Sequence, residues 1–456
     1  MNERSKKQRR RKSSPKHFPI VHRNAAGIDL GSRSHFVAVP EDRSQESVRE
    51  FGCYTPELHR MARWLRDCGV ETVAMESTGV YWVPVLELLE DYGFEVLLVD
   101  ARQVKSLSGK KTDVLDCQWI QRLHCYGLLK GAFRPQAEIT SMRAYWRQRS
   151  GLVKECARHI QLMQKALEQM NVQLHKAVSD ISGKTGMNII RSIVKGERDP
   201  KVLALHRDRR LKASYDELVQ ALTGNYREEH VFALTQAVQG YDFFQQQMEN
   251  CDRQLESYMQ RLPTKKPSQA PSPTRRGTRR KNQPYFDLRS EVVRIAGFDA
   301  SLIPGIDALS AQELICECDI DMKSFPSAKN FASWTTLCPN NRKTGGRIRS
   351  RNTRSGANRA ATVFRRGAQS LHRSQTALGA FHRRQRARHS GPEAVTATAH
   401  KLARMYYRLA KYGDEYVEQG QRAYEEQYKR QSISALKRRA RHMGFQLLQP
   451  ETGEVL

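Results

Sequence analysis

The sequence predicts an α/β domain followed by a long helical coiled-coil arm and a mainly α-helical C-terminal domain. Three observations carry that prediction. Short apolar runs alternate with amphipathic stretches from Ala25 to about Gly127, two sustained heptad seams lie between Leu152 and Leu262, and helical periodicity resumes beyond a proline-rich basic segment. At 456 residues the chain is about three times the ~150-residue domain prior, so two or three domains and a sizeable buried core are expected.

The elements follow in order. Residues 1–20 read as a disordered, polyanion-binding tail, because Lys6-Lys7-Gln8-Arg9-Arg10-Arg11-Lys12 is followed by Ser13-Ser14-Pro15 and not by the apolar segment of a secretory signal. Within an α/β region over 21–135, Ala26–Leu30 is a strand that turns at Gly31-Ser32 into a second, His35–Val39, and a third lies near Arg49–Tyr54. Leu58–Cys68 has a helical period. Then come a strand at Glu71–Met75, an apolar helix around Val80–Leu89, a strand at Phe94–Val99 and a helix at Lys111–Leu123. A mixed sheet followed by βαβ units fits this order.

Residues 136–262 differ in kind. Leu152, Cys156, Ile160, Met163, Leu167, Met170 and Leu174 are spaced 4, 4, 3, 4, 3, 4, and Tyr241, Phe244, Met248, Cys251, Leu255, Tyr258 and Leu262 are spaced 3, 4, 3, 4, 3, 4. Seams of this length predict long helices that pack on each other or on a second subunit. A linker over 263–286 carries five prolines from Pro263 to Pro284 among clustered Lys and Arg. Beyond it, 287–411 is predominantly helical, and 412–456 reads as a helical extension.

Lys plus Arg total 77 against 48 for Asp plus Glu, a net charge of +29. That far exceeds the roughly 2 to 8 charges that keep a small domain soluble, so a polyanionic partner, nucleic acid first of all, is implied. The excess is uneven: Met322–Pro392 holds sixteen Lys or Arg and no Asp or Glu, a stretch that repels itself unless phosphates neutralise it. No run of ~18 apolar residues occurs, so no membrane partner is expected. Nine cysteines without a C-x-x-C pair, the closest two being Cys316 and Cys318, predict reduced thiols in a cytosol, not a zinc site or a disulfide framework.

Four acids stand out against this basic background. Asp29 lies inside an apolar strand, where an unpaired carboxylate is costly and needs a cation, a hydrogen-bond shell or a metal beside it. Glu76 ends the strand Thr72–Glu76 and precedes Ser77-Thr78-Gly79. In Lys111-Thr112-Asp113-Val114-Leu115-Asp116 the i, i+3 spacing puts both carboxylates on one helix face within ~6 Å. Each alone is explained as a capped strand end or as the acidic first turn of a helix. As an ordered set of hard oxygen donors they suit Mg²⁺, or Mn²⁺, and a pair of such ions about 4 Å apart is how many nucleases hold the attacking and leaving oxygens.

Gly27-Ile28-Asp29-Leu30-Gly31, then Met75-Glu76-Ser77-Thr78-Gly79-Val80-Tyr81-Trp82, then Lys110-Lys111-Thr112-Asp113-Val114-Leu115-Asp116 together resemble the DEDD transposases of bacterial insertion sequences, the bridge-RNA-guided serine recombinases. The resemblance implies that the first domain is RNase H-like, similar to the RuvC Holliday-junction resolvase, with Asp29, Glu76, Asp113 and Asp116 as a metal-binding catalytic tetrad. It extends to Leu302-Ile303-Pro304-Gly305-Ile306 and Ala311–Cys316, to Phe325–Trp334 and to Leu337-Cys338-Pro339, which resemble the family's transposase domain. Where the family has Gly this chain has Asp307. A Pro-Gly turn there either exposes N–H groups to a phosphate or simply joins two helices.

After Cys338-Pro339 the family places a catalytic serine before a small-Gly-basic sequence. This chain reads Asn340-Asn341-Arg342-Lys343-Thr344-Gly345-Gly346-Arg347, so the aligned hydroxyl is that of Thr344, with Ser350 and Ser355 nearby. Threonine is a nucleophile with a stiff χ1. Arg342, Lys343, Arg347, Arg349, Arg351, Arg354 and Arg359 fall within eighteen residues. They are interrupted by Gly345, Gly346 and Gly356, so that backbone and guanidinium groups both approach phosphates. Asn358-Arg359 matches the family's G-x-N-R-like stretch, and Lys110-Lys111 flank the third acid motif.

The resemblance thus implies an RNA-guided DNA recombinase. Donor and target DNA would pair with a noncoding bridge RNA, strands would be cut and rejoined through a covalent hydroxyl–phosphate intermediate, and a homotetramer would combine a RuvC-like domain of one subunit with the transposase domain of another. It would work in the bacterial cytoplasm, associated with the nucleoid. Two rivals stay open on the residues alone: a metal-dependent nuclease or junction resolvase that uses water, and a catalytically impaired nucleic-acid-binding copy.

Overall fold

The computed structural model describes residues 19–77, 79–104, 112–265, 282–350, 352–354, 356, 358–446 and 448. Residues 1–18 of the expected 1–20 tail, most of the linker and the extreme C-terminus lie outside the described residues. The chain divides into two compact units, 1–134 and 135–456.

The first unit is a five-stranded mixed sheet with helices on both faces, consistent with an α/β nuclease-like domain. β1 (Ala25–Leu30), β2 (Ser34–Ala38) and β3 (Val48–Gly52) form an antiparallel meander, and β4 (Thr72–Glu76) and β5 (Glu95–Val99) add in parallel on the other side of β1, giving the order β3-β2-β1-β4-β5. The predicted turn at Gly31 closes with its N–H on the Ser34 carbonyl at 3.0 Å. One face of the sheet, with Ile28 and Met75 wholly buried, packs against α1 (Thr55–Asp67) and α2 (Trp82–Asp91) through Met61, Leu65 and Leu86. This supplies the parallel crossovers their usual cover.

After the single turn α3 (Ala101–Val104), α4 (Asp113–Cys125) lies across β1 on the opposite face. Sequence periodicity starts this helix at Lys111. In the structure it starts at Asp113, because the Thr112 hydroxyl caps it by accepting from the Leu115 N–H at 3.3 Å. Gln121 Nε2 donates to the Ala25 carbonyl (3.3 Å), and buried His124 Nε2 meets Thr72 Oγ1 (2.9 Å), so the C-terminal half of α4 is tied to the sheet.

The second unit is built on α5 (Ala137–Gln169), which runs antiparallel to the helix Glu228–Arg261: Tyr145 meets Tyr258, Arg149 pairs with Asp252, and His159 meets Phe244. Of the two packings that the heptads allow, these helices therefore use each other. The first seam departs from expectation at its end. The helix stops at Gln169, Asn171 takes a left-handed φ of 57°, and Met163, Leu167, Met170 and Leu174 are buried among short helices between 174 and 222. The seam there feeds a small multi-helix core.

The C-terminal helices gather around Phe331, Phe364, Tyr406 and Tyr407, and Tyr407 donates its hydroxyl to the Phe325 carbonyl at 2.9 Å. One segment departs from helix. Residues 342–350 form a β-hairpin, β6 (Arg342–Thr344) with β7 (Arg347–Ser350). Helical periodicity missed it because the segment is too short and too polar to carry an alternating apolar signal.

Candidate acidic and nucleic-acid site

β1 and β4 are parallel neighbours, with Ile28 opposite Met75, so Asp29 and Glu76 arrive at the same end of the sheet. α4 adds Asp113 and Asp116 from its first turn. Gly27 makes that delivery possible: a Cβ there would lie 2.5 Å from the Cys117 carbonyl oxygen, so only glycine lets α4 settle on β1 at this height. Sequence reading had Gly27 as part of a motif without seeing this role.

The four acids share one field. The Asp29 carboxyl is pushed up from 3.8 to about 6, first by burial and then by the negative charges of Asp116, Asp113 and Glu76. The Leu30 N–H opposes the shift, and among the described residues no cation stands among the groups that move Asp29. Cys117, buried beneath them, has its thiol raised to about 12 by burial, with Asp29 and Asp116 contributing, so it is not a thiolate competing for a metal.

The donor set is carboxylate only, which fits a hard divalent cation that relieves the mutual repulsion. Among the described residues, no three His, Cys, Asp or Glu side chains already form a group able to hold a metal ion. The acids share a field without closing on a common point.

In the second unit Thr344 is the last residue of β6, exposed, and paired in register with Arg347 across Gly345 and Gly346. Both glycines have positive φ, 55° and 76°, which gives the tight two-residue hairpin turn that only such residues adopt cheaply. Arg347 and Arg349 are exposed on β7. Arg342 and Lys343 lie on β6, and Lys110, Lys111, Arg351 and Ser355 lie outside the described residues. Ser350 ends β7 and accepts from the Asn352 N–H at 3.3 Å.

Other expected nucleic-acid residues have internal partners. Arg354 donates to Ser333 Oγ at 3.1 Å. Asn358 caps the helix Arg359–Ser370, accepting from the Ala361 N–H at 2.9 Å, and donates to the Trp334 carbonyl, while Arg359 is exposed. The Pro304-Gly305 turn is packed, not open: a Cβ on Gly305 would stand 2.7 Å from the Gly367 carbonyl oxygen, and Asp307 caps the helix Ala308–Cys318 through the Ser310 N–H at 2.9 Å. Of the two uses considered for that turn, helix joining is the one these contacts serve, and Asp307 in place of Gly supplies the cap.

No described helix is long and apolar enough to cross a membrane. Two family models match the chain. One, a DEDD transposase of the IS110 type, covers residues 26–172, and the other, described as transposase of the IS116/IS110/IS902 family, covers residues 300–383. The first span holds all four acids and the second holds the hairpin with Thr344. No curated protein matches the chain.

Proposed function

The chain belongs to the IS110 family of DEDD transposases, and on that premise we propose that it cuts and rejoins the DNA of an insertion sequence under the guidance of a noncoding bridge RNA. A transposase acts on DNA, and the net charge of +29 suits that substrate. The observation that carries the reading is that Asp29 and Glu76 arrive at one end of the sheet beside the acidic first turn of α4, where burial first and then the charges of Asp116, Asp113 and Glu76 raise the Asp29 carboxyl. In so basic a protein, a carboxylate perturbed by burial and by three like charges is a functional-site signature.

Asp29, Glu76, Asp113 and Asp116 would hold Mg²⁺ or Mn²⁺ as a DEDD tetrad on a RuvC-like, RNase H-like sheet. When bound, such an ion polarises a phosphate and stabilises a leaving oxygen. The residues' own part is distinct. Burial and repulsion raise the Asp29 carboxyl to about 6, and Gly27 keeps α4 close enough for Asp116 to be felt.

Thr344 would be the nucleophile. Its Oγ1 attacks phosphorus, a phosphothreonine ester forms as the strand's P–O bond breaks, and the released strand end carries off its hydroxyl. Attack by a strand hydroxyl reverses the step and frees Thr344, so no nucleoside triphosphate is consumed. Exposure beside the turn of the ribbon supports this role. The same exposure also favours a second reading, a metal-dependent nuclease that uses water, because no base is hydrogen-bonded to Thr344 among the described residues.

Denaturing gels of protein incubated with DNA and bridge RNA separate the two. Covalent adduct is expected with the native chain, lost in Thr344→Ala and kept or raised in Thr344→Ser. Cleavage without adduct in all three establishes the water mechanism. Loss of all strand cutting in Asp29→Asn is expected, and unimpaired recombination there removes the tetrad. The assembly proposed is a homotetramer, and sedimentation showing only monomers with nucleic acid present counts against it.

A further inference from the structure

Next to the acids in the chain, the fold leaves four apolar side chains exposed. Val80 is 72% exposed and Tyr81 43%, four and five residues beyond Glu76, and Val114 (40%) and Leu115 (52%) lie between Asp113 and Asp116. α2 and α4 have proper inner faces, Val85, Leu86 and Leu89 on one and Cys117 and Ile120 on the other, so the outward residues are not misplaced core. Their posture is built. Gly79 turns the chain at a φ of 62°, the Trp82 indole N–H donates back to the Gly79 carbonyl at 3.2 Å, and Thr112 caps the turn that presents Val114 and Leu115.

We propose that Val80, Tyr81, Val114 and Leu115 form an apolar rim that receives unstacked bases on either side of the phosphodiester held at the acids. The inference rests on the reading of those acids as a phosphodiester site. A phosphate held there carries its neighbouring bases within one or two stacking steps of ~3.4 Å, so whatever flanks the acids meets bases. Aliphatic side chains and an aromatic ring are the surfaces that wedge into base steps or stack on splayed bases, and they read no sequence. The rim would make the site selective for strands already opened or easily opened. That is the form DNA takes when one strand is exchanged for an RNA guide.

The test is binding by the full-length chain in Ca²⁺, a hard divalent ion that can hold a phosphate against carboxylates, followed by fluorescence anisotropy on two labelled duplexes of one sequence, one fully paired and one with a central mismatch. The native chain is expected to prefer the mismatched duplex by about tenfold, the scale of one or two stacked bases. Replacing the four residues by serine should abolish the preference, and Tyr81→Phe alone should retain it. All four are solvent-exposed, so the folded state should survive, which circular dichroism checks. A native chain without preference, or a serine variant that keeps it, overturns the proposal. So does a variant that keeps its preference and drops to a smaller oligomer, which would make the rim a contact between copies of this chain. Because the measurement reads binding and needs no strand cutting, it fails separately from the covalent mechanism: a chain with the preference but no DNA adduct in any condition sinks the nucleophile and leaves the rim.

Discussion

A side-chain carbon on Gly27 would lie 2.5 Å from the carbonyl oxygen of Cys117, closer than any real contact, so β1 and α4 touch backbone to backbone two residues before Asp29 and one residue after Asp116, whose charge raises the Asp29 carboxyl. Gly27→Ala must lift α4 or bend β1. Overpacking of this kind costs about 1–3 kcal/mol, and here the strain falls on the element that carries two of the four acids. The expected outcome is a lower midpoint in denaturant together with an Asp29 carboxyl that titrates closer to the ordinary 3.8 in carbon-detected NMR. A stable Gly27→Ala protein with Asp29 still near 6 would show that α4 does not set the field.

The Asp29 shift has a definite sign for stability. Its folded value, about 6, is above the unfolded 3.8, so the folded state binds the proton more tightly. The stabilisation is therefore fully present below pH 3.8 and is lost as pH rises through about 6. Allowing for the partial exposure of Asp29, the loss is roughly 1–3 kcal/mol. Denaturant unfolding at a series of pH values should show that decline in the native chain and a flatter profile in Asp29→Asn. At neutral pH, Mg²⁺ should raise the unfolding temperature of the native chain more than that of the variant, because a ligand stabilises only the state that binds it. Equal Mg²⁺ shifts in both proteins would place the ion elsewhere.

Much of this was legible in the chain because the signals are local. The strand at Ala25–Leu30, the Gly31 turn and the acidic first turn of α4 each follow from a few consecutive residues. What stayed hidden depends on partners far away in sequence. Nothing near Gly27 announces that Cys117 lies on it, and nothing around Arg149 announces Asp252. The heptads told that the long helices pack, yet Asn171 and the short helices after it redirect the seam, since a residue in a left-handed conformation is a turn event and not a periodicity. Asn358, expected on a nucleic-acid surface, and Asp307, seen only as a departure from the family's Gly, are both helix caps. Polar side chains at helix starts satisfy both descriptions, and only the partner decides.

Arg149 and Asp252 form a buried ion pair between α5 and the helix Glu228–Arg261, 3% and 0% exposed, with the guanidinium also donating to the Asn282 carbonyl at 2.9 Å and lying over the Trp146 ring. Removing one partner strands the other charge without solvent, so Asp252→Ala should cost about 3–5 kcal/mol, whereas Arg149→Met with Asp252→Leu should recover most of it. Thermal unfolding of the single and double variants measures this. A double variant no better than the single would mean that the tie to Asn282, and not the charge pair, holds the joint.

The hairpin is the element in which charge and backbone can be tested separately. Arg347 and Arg349 stand two apart on β7, so their side chains leave the same face of the ribbon. If that face follows a phosphate backbone, each arginine releases about one counterion, and each change to Ala should lower the slope of log affinity against log salt by about 1 while weakening all DNA sequences alike. Gly346→Val attacks the turn instead. At a φ of 76° a branched residue is strained, and since nothing lies within 4 Å of the glycine the damage should stay in the hairpin. Its expected signature is an unfolding temperature like that of the native chain, with a salt slope reduced as far as in the double arginine variant. A Gly346→Val protein that keeps the full slope would mean that the arginines act as loose charges and that the ribbon's shape plays no part in holding DNA.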